Sequence, residues 1–209
     1  MNCALCRSAD TSHVATVKQR PFFHCRRCDL LFVPPDYHLS VQDERTRYAL
    51  HDNTVENGGY VRFLSEVADV VQRQVVPGAR LLDFGCGKHA VLAGMLRSRG
   101  MACDAWDPLY PYPALPETPT YGGIVLCEVI EHCRDLPGTI RRIGELRTPK
   151  AVVILRTQCP PGAVDLHKWW YAQDCTHIHL FSIRALEAVA ARLGRALVPT
   201  ALPDIFLIR

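Results

Sequence analysis

The stretch Leu81-Leu82-Asp83-Phe84-Gly85-Cys86-Gly87-Lys88-His89-Ala90 decides how the chain is read. A short apolar run enters two closely spaced glycines and leaves into a segment, 90–99, with helical texture ended by Gly100. That order is strand, tight turn, helix. Glycines in such a turn let the backbone fold back and approach a ligand with no Cβ in the way. Asp107 follows Gly85 by 22 residues, at the end of the next expected strand. An acidic side chain at that place binds ribose hydroxyls in nucleotide-type folds.

Outward from this turn, strands and helices alternate. Strands are expected at 101–106, 124–127 and 151–155, with helices at 60–76 and 139–146. Another helix starts at Ser182 and stops at Gly194, and 196–198 with 205–208 reads as an antiparallel hairpin at the sheet edge. Such alternation predicts an α/β fold with a Rossmann-like, mostly parallel sheet. Before it, Ser40-x-x-Asp43 opens a helix through Glu44 and Tyr48. In the 60–76 helix, Val61, Leu64, Val67, Ala68 and Val71 share one face, and Pro77-Gly78 ends it. Pro108, Pro111, Pro113, Pro116 and Pro119 leave loop where this rhythm calls for a further helix and strand.

Four of the ten cysteines form two identical pairs, Cys3-x-x-Cys6 and Cys25-x-x-Cys28, with eighteen residues between them. Two such knuckles aim four sulfurs at one tetrahedral ion, which predicts a structural Zn2+ in a ribbon over 1–33; four ordinary thiols are the alternative. A closed four-cysteine site has no open position and does no chemistry itself. The remainder divides into a helical lid or linker, 34–78, and a Rossmann-like domain, 79–209. The cysteines at the very start, with no apolar leader, favour a reducing cytoplasmic setting over a disulfide scaffold. Apolar runs fall far short of the ~18 residues of a membrane span.

The net charge of +3 lies entirely in residues 1–33, where five basic side chains face two acidic ones; 19 of each sign balance in the rest. Four thiolates on a Zn2+ would cut that local excess to about +1, a weak footprint for a polyanion.

Gly85-x-Gly87-x-x-Ala90 fits the dinucleotide fingerprint, which puts a nicotinamide-dependent enzyme in view. Asp83, two residues earlier, would repel a pyrophosphate and suit a ligand with an ammonium and a sulfonium. About 100 residues follow Asp107, too few for a separate substrate domain. Asp83-x-Gly85-x-Gly87, Asp107 and Leu126-Cys127-Glu128-Val129-Ile130-Glu131-His132 together resemble the class I S-adenosylmethionine-dependent methyltransferases, over residues 60–209. The whole chain is also similar to small methyltransferase-domain proteins fronted by a zinc ribbon. The resemblance implies S-adenosylmethionine as cofactor, with Asp83, Gly85, Cys86 and Gly87 around its methionine part. It further implies Asp107 on the ribose, and Cys127 and Glu128 beside the adenosyl group. His89 stands where many relatives have a third glycine. Tyr48, His51, Asn53 and Tyr60 are placed to fold over the cofactor as a lid, His51 and Tyr60 foremost.

Methyl transfer from a sulfonium is an in-line displacement, so the protein chiefly aligns and desolvates the nucleophile. Strand carboxyl ends hold the ligands in open α/β sheets, which selects Glu128, Glu131 and His132, and the loop after Leu155 for the acceptor. The polar-aromatic stretch 165–179 adds Tyr171, Asp174 and His177, with His177 or His132 as base. Two other readings of this stretch stay open: a structural turn at Asp174 and Thr176 beneath packed aromatics, or a metal held by His167, His177 and His179. The expected function is in-line methylation of a small or medium-sized acceptor, by a monomer or homodimer. The alternatives are a zinc-ribbon RNA methyltransferase, with Lys18, Arg26 and Arg27 on phosphates, and a catalytically inactive methyltransferase-like binding protein.

Overall fold

The computed structural model describes residues 1–160 and 164–209. Residues 161–163, in the loop expected to face the acceptor, lie outside the described residues. The chain opens with β1 (Thr11–Val17), β2 (Arg20–Cys25) and β3 (Leu31–Phe32), followed by α1 (Val41–Tyr48) and α2 (Gly58–Gln74). Then come β4 (Leu81–Phe84), α3 (Val91–Ser98), β5 (Cys103–Trp106), β6 (Tyr121–Cys127), α4 (Leu136–Leu146) and β7 (Arg147–Arg156). The last elements are α5 (Trp170–Gln173), β8 (His179–Leu180), α6 (Ile183–Arg192), β9 (Leu197–Pro199) and β10 (Ile205–Ile208).

The main sheet runs β5-β4-β6-β7-β10-β9 among the described residues. It is parallel from β5 to β7, and β10 is antiparallel to both β7 and β9, as the alternation predicts. Side chains alternate between the faces of a strand. Leu81, Val125, Ile154, Ile205 and Leu207 therefore pack under α2 and α3, through Leu64, Val67, Val71, Leu92 and Leu96. Leu82, Ile124, Leu126, Val153, Leu155, Phe206 and Ile208 pack on the other face, under α4 and α6. The proline-rich stretch between β5 and β6 holds neither helix nor strand.

Where boundaries differ from the sequence reading, capping and glycine packing explain them. α2 starts at Gly58 because Asn57 Oδ1 accepts the N–H groups of Gly59 and Tyr60. α4 starts at Leu136 because Asp135 Oδ1 accepts the Gly138 N–H at 3.0 Å. β6 begins at Tyr121 despite two glycines. A Cβ on Gly123 would lie 2.6 Å from Leu81 Cδ2, so the bare backbone there admits the neighbouring strand's leucine. Ser40 Oγ accepts the Asp43 N–H at 3.1 Å, as its motif predicts for α1.

The cysteine-bearing front shares structure with the body. β3 pairs antiparallel with β8, Leu31 opposite Leu180 and Phe32 opposite His179, giving a second sheet β1-β2-β3-β8. Cys3, Leu5, Leu30 and Phe32 belong to the same buried cluster as Leu126 and Phe181. No described helix is long and apolar enough to cross a membrane.

Phe32 is 2% exposed within that cluster. Phe32→Ala is expected to cost about 3–5 kcal/mol. Scanning calorimetry should show one transition moved down as a whole; an unchanged main transition beside a separate small one would show that the front melts independently.

Candidate functional site

The carboxyl ends of β4, β5 and β6 open onto a cavity of about 1230 Å³. The turn after β4 forms its floor. The Trp106 carbonyl accepts the N–H groups of Gly85 and Cys86 at 2.7 and 3.1 Å, locking the turn to the end of β5. Gly85 has φ +78°, and a Cβ there would lie 2.6 Å from Val129 Cγ2, so the turn lies flat on the segment after β6. The Gly87 N–H donates to Asp107 Oδ2 at 3.0 Å and the Leu109 N–H to Oδ1 at 2.8 Å. Burial raises the Asp107 carboxyl, and these two N–H groups oppose the rise. Tyr112, from the proline-rich stretch, donates its hydroxyl to the Gly87 carbonyl at 2.8 Å. Nothing in the sequence marked Tyr112 as part of the site, because its partner lies 25 residues away and only the fold brings them together.

Gly85, Cys86, Gly87, Asp107, Cys127, Glu128, Tyr60 and His51 all line the cavity. Asp83 does not. It is buried beneath the turn, where its Oδ2 accepts the Ala93 N–H at 3.1 Å at the start of α3. Burial pushes its carboxyl up to about 7. Phe84 and Trp106, with ring centroids 4.7 Å apart, give an apolar wall that the sequence reading missed. Burial also raises the Cys127 thiol, and that of Cys86 to about 12, so both stay protonated and act as small apolar groups.

Glu128 sits in the left-handed region at φ +54°, which costs a residue with a Cβ about 1–2 kcal/mol. Its N–H donates to the Arg156 carbonyl at 2.9 Å, which holds the chain there. Oε1 of Glu128 is buried with no hydrogen-bond partner within the chain. Burial, and then the charge of Glu131, push its carboxyl up to about 9.

In the lining of the same cavity, the His132 and His177 rings meet with centroids 4.7 Å apart. His132 Nδ1 lies 3.0 Å from the Thr176 carbonyl, and His177 Nδ1 lies 2.7 Å from the Tyr171 carbonyl. A carbonyl only accepts, so each Nδ1 carries the proton and each Nε2 keeps a lone pair. Burial lowers both imidazoles, His177 to about 4, so both are neutral near pH 7. Asp174 also lines the cavity, but Oδ1 accepts the Thr176 N–H and hydroxyl at 2.9 and 2.7 Å, and Oδ2 accepts from Arg47 at 2.9 Å. Burial alone would raise Asp174; these donors outweigh it and hold the carboxyl low.

Tyr171 does not line the cavity. Its ring is fully buried behind His177, and its hydroxyl donates to Glu131 and meets Thr157 Oγ1 at 3.0 Å. His167, His177 and His179 are not brought together: His167 is exposed, and His179 is buried in β8. Among the described residues, His177 groups instead with Glu131 and His132.

On the front segment, Cys3 and Cys28 bring their sulfurs to 3.6 Å and Cys6 and Cys25 to 3.5 Å, all four within 4.8 Å of one another. A tetrahedron with ~2.3 Å bonds to sulfur has edges of about 3.8 Å, so the set has the size a zinc ion needs. Left-handed Arg7 and Asp29, with N–H groups on the carbonyls of Cys3 and Cys25, close the two knuckles.

The profile of the family described as a methyltransferase domain matches residues 59–200. The chain belongs to this methyltransferase family. Among solved structures, it is similar to 1,6-didemethyltoxoflavin-N1-methyltransferase from Burkholderia thailandensis, solved with 1,6-didemethyltoxoflavin and S-adenosylhomocysteine. That match has 14% identity and a TM-score of 0.58, covering 96% of this chain and 97% of the other. It is similar to an O-methyltransferase family protein from the same organism at 17% identity and TM-score 0.57, covering 79% of this chain and 61% of that one. A third similarity is to magnesium protoporphyrin IX methyltransferase from Synechocystis PCC 6803 with bound S-adenosylhomocysteine, at 16% identity and TM-score 0.54, covering 83% and 97%. At these identities the likeness is one of fold. A search of curated proteins returns no match.

In this methyltransferase, Asp83 gives a pH signature. It ionises near about 3.9 in an unfolded chain and near about 7 in the fold. Above pH 4 the unfolded chain therefore gives up its proton more readily, and stability falls as pH rises toward 7. Asp83→Asn keeps an acceptor for Ala93 and does not ionise. It should melt at least about 2 °C above wild type at pH 8 and no higher at pH 4. Thermal melts in which wild type matches the variant at pH 8 would show that the carboxylate is accommodated there as an ion.

Proposed function

We propose that the chain is an S-adenosylmethionine-dependent methyltransferase acting on a small-molecule acceptor, with a structural zinc ion on the four cysteines of its front segment. The observation that carries this reading is the cavity itself: the glycine turn, Asp107 and Glu128 open into it from three adjacent strand ends. Its volume of about 1230 Å³ exceeds the roughly 300–1,000 Å³ that serves a single ligand, leaving room for cofactor and acceptor together.

The residues present fit this cofactor. A Cβ on Gly87 would meet nothing within 4 Å, so the backbone there is an open cradle. Asp107 is fixed by two N–H groups and keeps lone pairs for ribose hydroxyls. The unpartnered Oε1 of Glu128 offers a further polar contact in the same cavity. When bound, S-adenosylmethionine supplies a methyl carbon already activated by its sulfonium.

The chain's own part is to bind, orient and exclude water. Phe84 and Trp106 shield one wall, and Tyr60 and His51 close over the cavity from the preceding helical segment. His132 and His177 present their Nε2 lone pairs at the acceptor end, oriented by the backbone carbonyls behind them. Asp174 serves as a positioning residue, joining α1 through Arg47 to the turn that carries Thr176.

A small acceptor is favoured over RNA. Lys18 donates to the Gln173 carbonyl at the cavity edge, and Arg26 lies 3.5 Å from Asp10, so two of the three basic side chains expected on phosphates already have partners. The fold neighbour covering nearly the whole chain holds a small molecule beside S-adenosylhomocysteine.

Isothermal titration with S-adenosylhomocysteine should give one site per chain. Asp107→Ala should weaken it at least about tenfold, the loss of charge-assisted hydrogen bonds worth about 1.5–3 kcal/mol. No binding by wild type overturns the reading. Elemental analysis should find one zinc per chain, and chelation should lower the melting temperature of the whole protein, because Cys3, Cys25 and Cys28 are in its core.

A further inference from the structure

We infer that Glu131, His132 and His177 form a second metal site, for a divalent cation of the manganese-to-zinc series, at the acceptor end of the cavity. One ligand atom from each lies within 4.8 Å of the other two, and His132 Nε2 is 3.9 Å from Glu131 Oε1. Two imidazoles and one carboxylate are a donor set for borderline transition ions rather than for thiolate-bound zinc.

Three features separate this cluster from an ordinary buried polar network. Glu131 is fully buried, yet among the described residues no lysine or arginine forms an ion pair with it. A buried carboxylate without a counter-charge is costly, and a cation among these three groups would supply one. Both imidazoles are anchored at Nδ1 by backbone carbonyls, which leaves Nε2 for a ligand bond, the arrangement that fixes metal-binding histidines. Glu131 is held in turn by the hydroxyls of Tyr171 and Thr157, so its orientation is set from behind.

His132 and His177 face the cavity, and three protein ligands leave coordination positions open on that side. The cation would therefore take an oxygen of the acceptor. For the chemistry that follows, the inference rests on the methyltransferase reading. A hydroxyl bound to the ion loses its proton to solvent, its oxygen forms the bond to the methyl carbon of S-adenosylmethionine, and the carbon–sulfur pair returns to sulfur. The acceptor class is thus a small molecule bearing a hydroxyl, a phenol or an alcohol, methylated on oxygen.

The test uses the full chain with zinc on its four cysteines, titrated with Mn2+ and with Co2+. Electron paramagnetic resonance should show one Mn2+ bound per chain, with spin-echo modulation from directly bound imidazole nitrogen. Glu131→Gln and His177→Ala should each weaken Mn2+ at least about tenfold while S-adenosylhomocysteine binding stays within about threefold. Retention of neither ion by wild type, bound Mn2+ without nitrogen modulation, or unchanged affinity in both variants overturns the site. The nitrogen signal is read on wild type, so the decision does not depend on the variants folding. Failure of S-adenosylhomocysteine to bind wild type would overturn the cofactor reading alone and leave the metal measurement standing.

Discussion

The close approach of Gly85 to Val129 is the constraint on which the site depends. With no side chain at Gly85, the turn after β4 lies on the segment after β6, and the space a Cβ would fill is taken by the valine methyls. The ends of two neighbouring parallel strands are thereby held at a fixed separation. Glu128, one residue before Val129, sits in the left-handed region and keeps a buried, unpartnered carboxyl oxygen. Strain at one residue is tolerated because the sheet on both sides determines where the chain must run.

A second dependence runs through β8. This two-residue strand joins the cysteine-bearing sheet through β3, while Ile178, just before it, donates its N–H to the Glu131 carbonyl after β6. The chain segment that supplies His177 is thus pinned between the front sheet and the main sheet. Arg20 of β2 adds to this by donating to the carbonyls of His177 and Ala172. The front segment, which holds no cavity-forming glycine or acid of its own, therefore positions the part of the cavity lined by His177. A metal on its cysteines would act on that part through packing and backbone hydrogen bonds rather than through chemistry.

Much of the fold was legible because its signals are local. The strand-turn-helix at 81–99, the capping serines at 40 and 182, and the prolines that remove a helix and strand after β5 each act through neighbours in sequence. Boundaries shifted where a cap was overlooked, as at Asn57 and Asp135, or where glycines concealed a strand, as at Gly123. The glycine loop, Asp107 and the two pairs of cysteines were legible for the same reason: their spacing encodes their geometry. Tyr171 and Asp83 went the other way. Both have the right chemistry in the right segment, yet one turns behind His177 toward Glu131 and the other sits under the turn, because burial and hydrogen bonding decide which way a side chain faces.

Sequence alone determined the alternating architecture, the glycine turn after β4 and the four-sulfur cluster, since each depends on periodicity or on spacing across a single turn or paired knuckle. Only the tertiary structure decided that Tyr112 clamps the glycine loop, that β3 and β8 join the front to the body, and that His177 meets His132 and Glu131 rather than its sequence neighbours His167 and His179. These contacts span from 25 residues of chain, Tyr112 to Gly87, to 149, Leu31 to Leu180. No local pattern encodes them, because they exist only after both faces of the sheet are covered and the strand ends have been brought to one side.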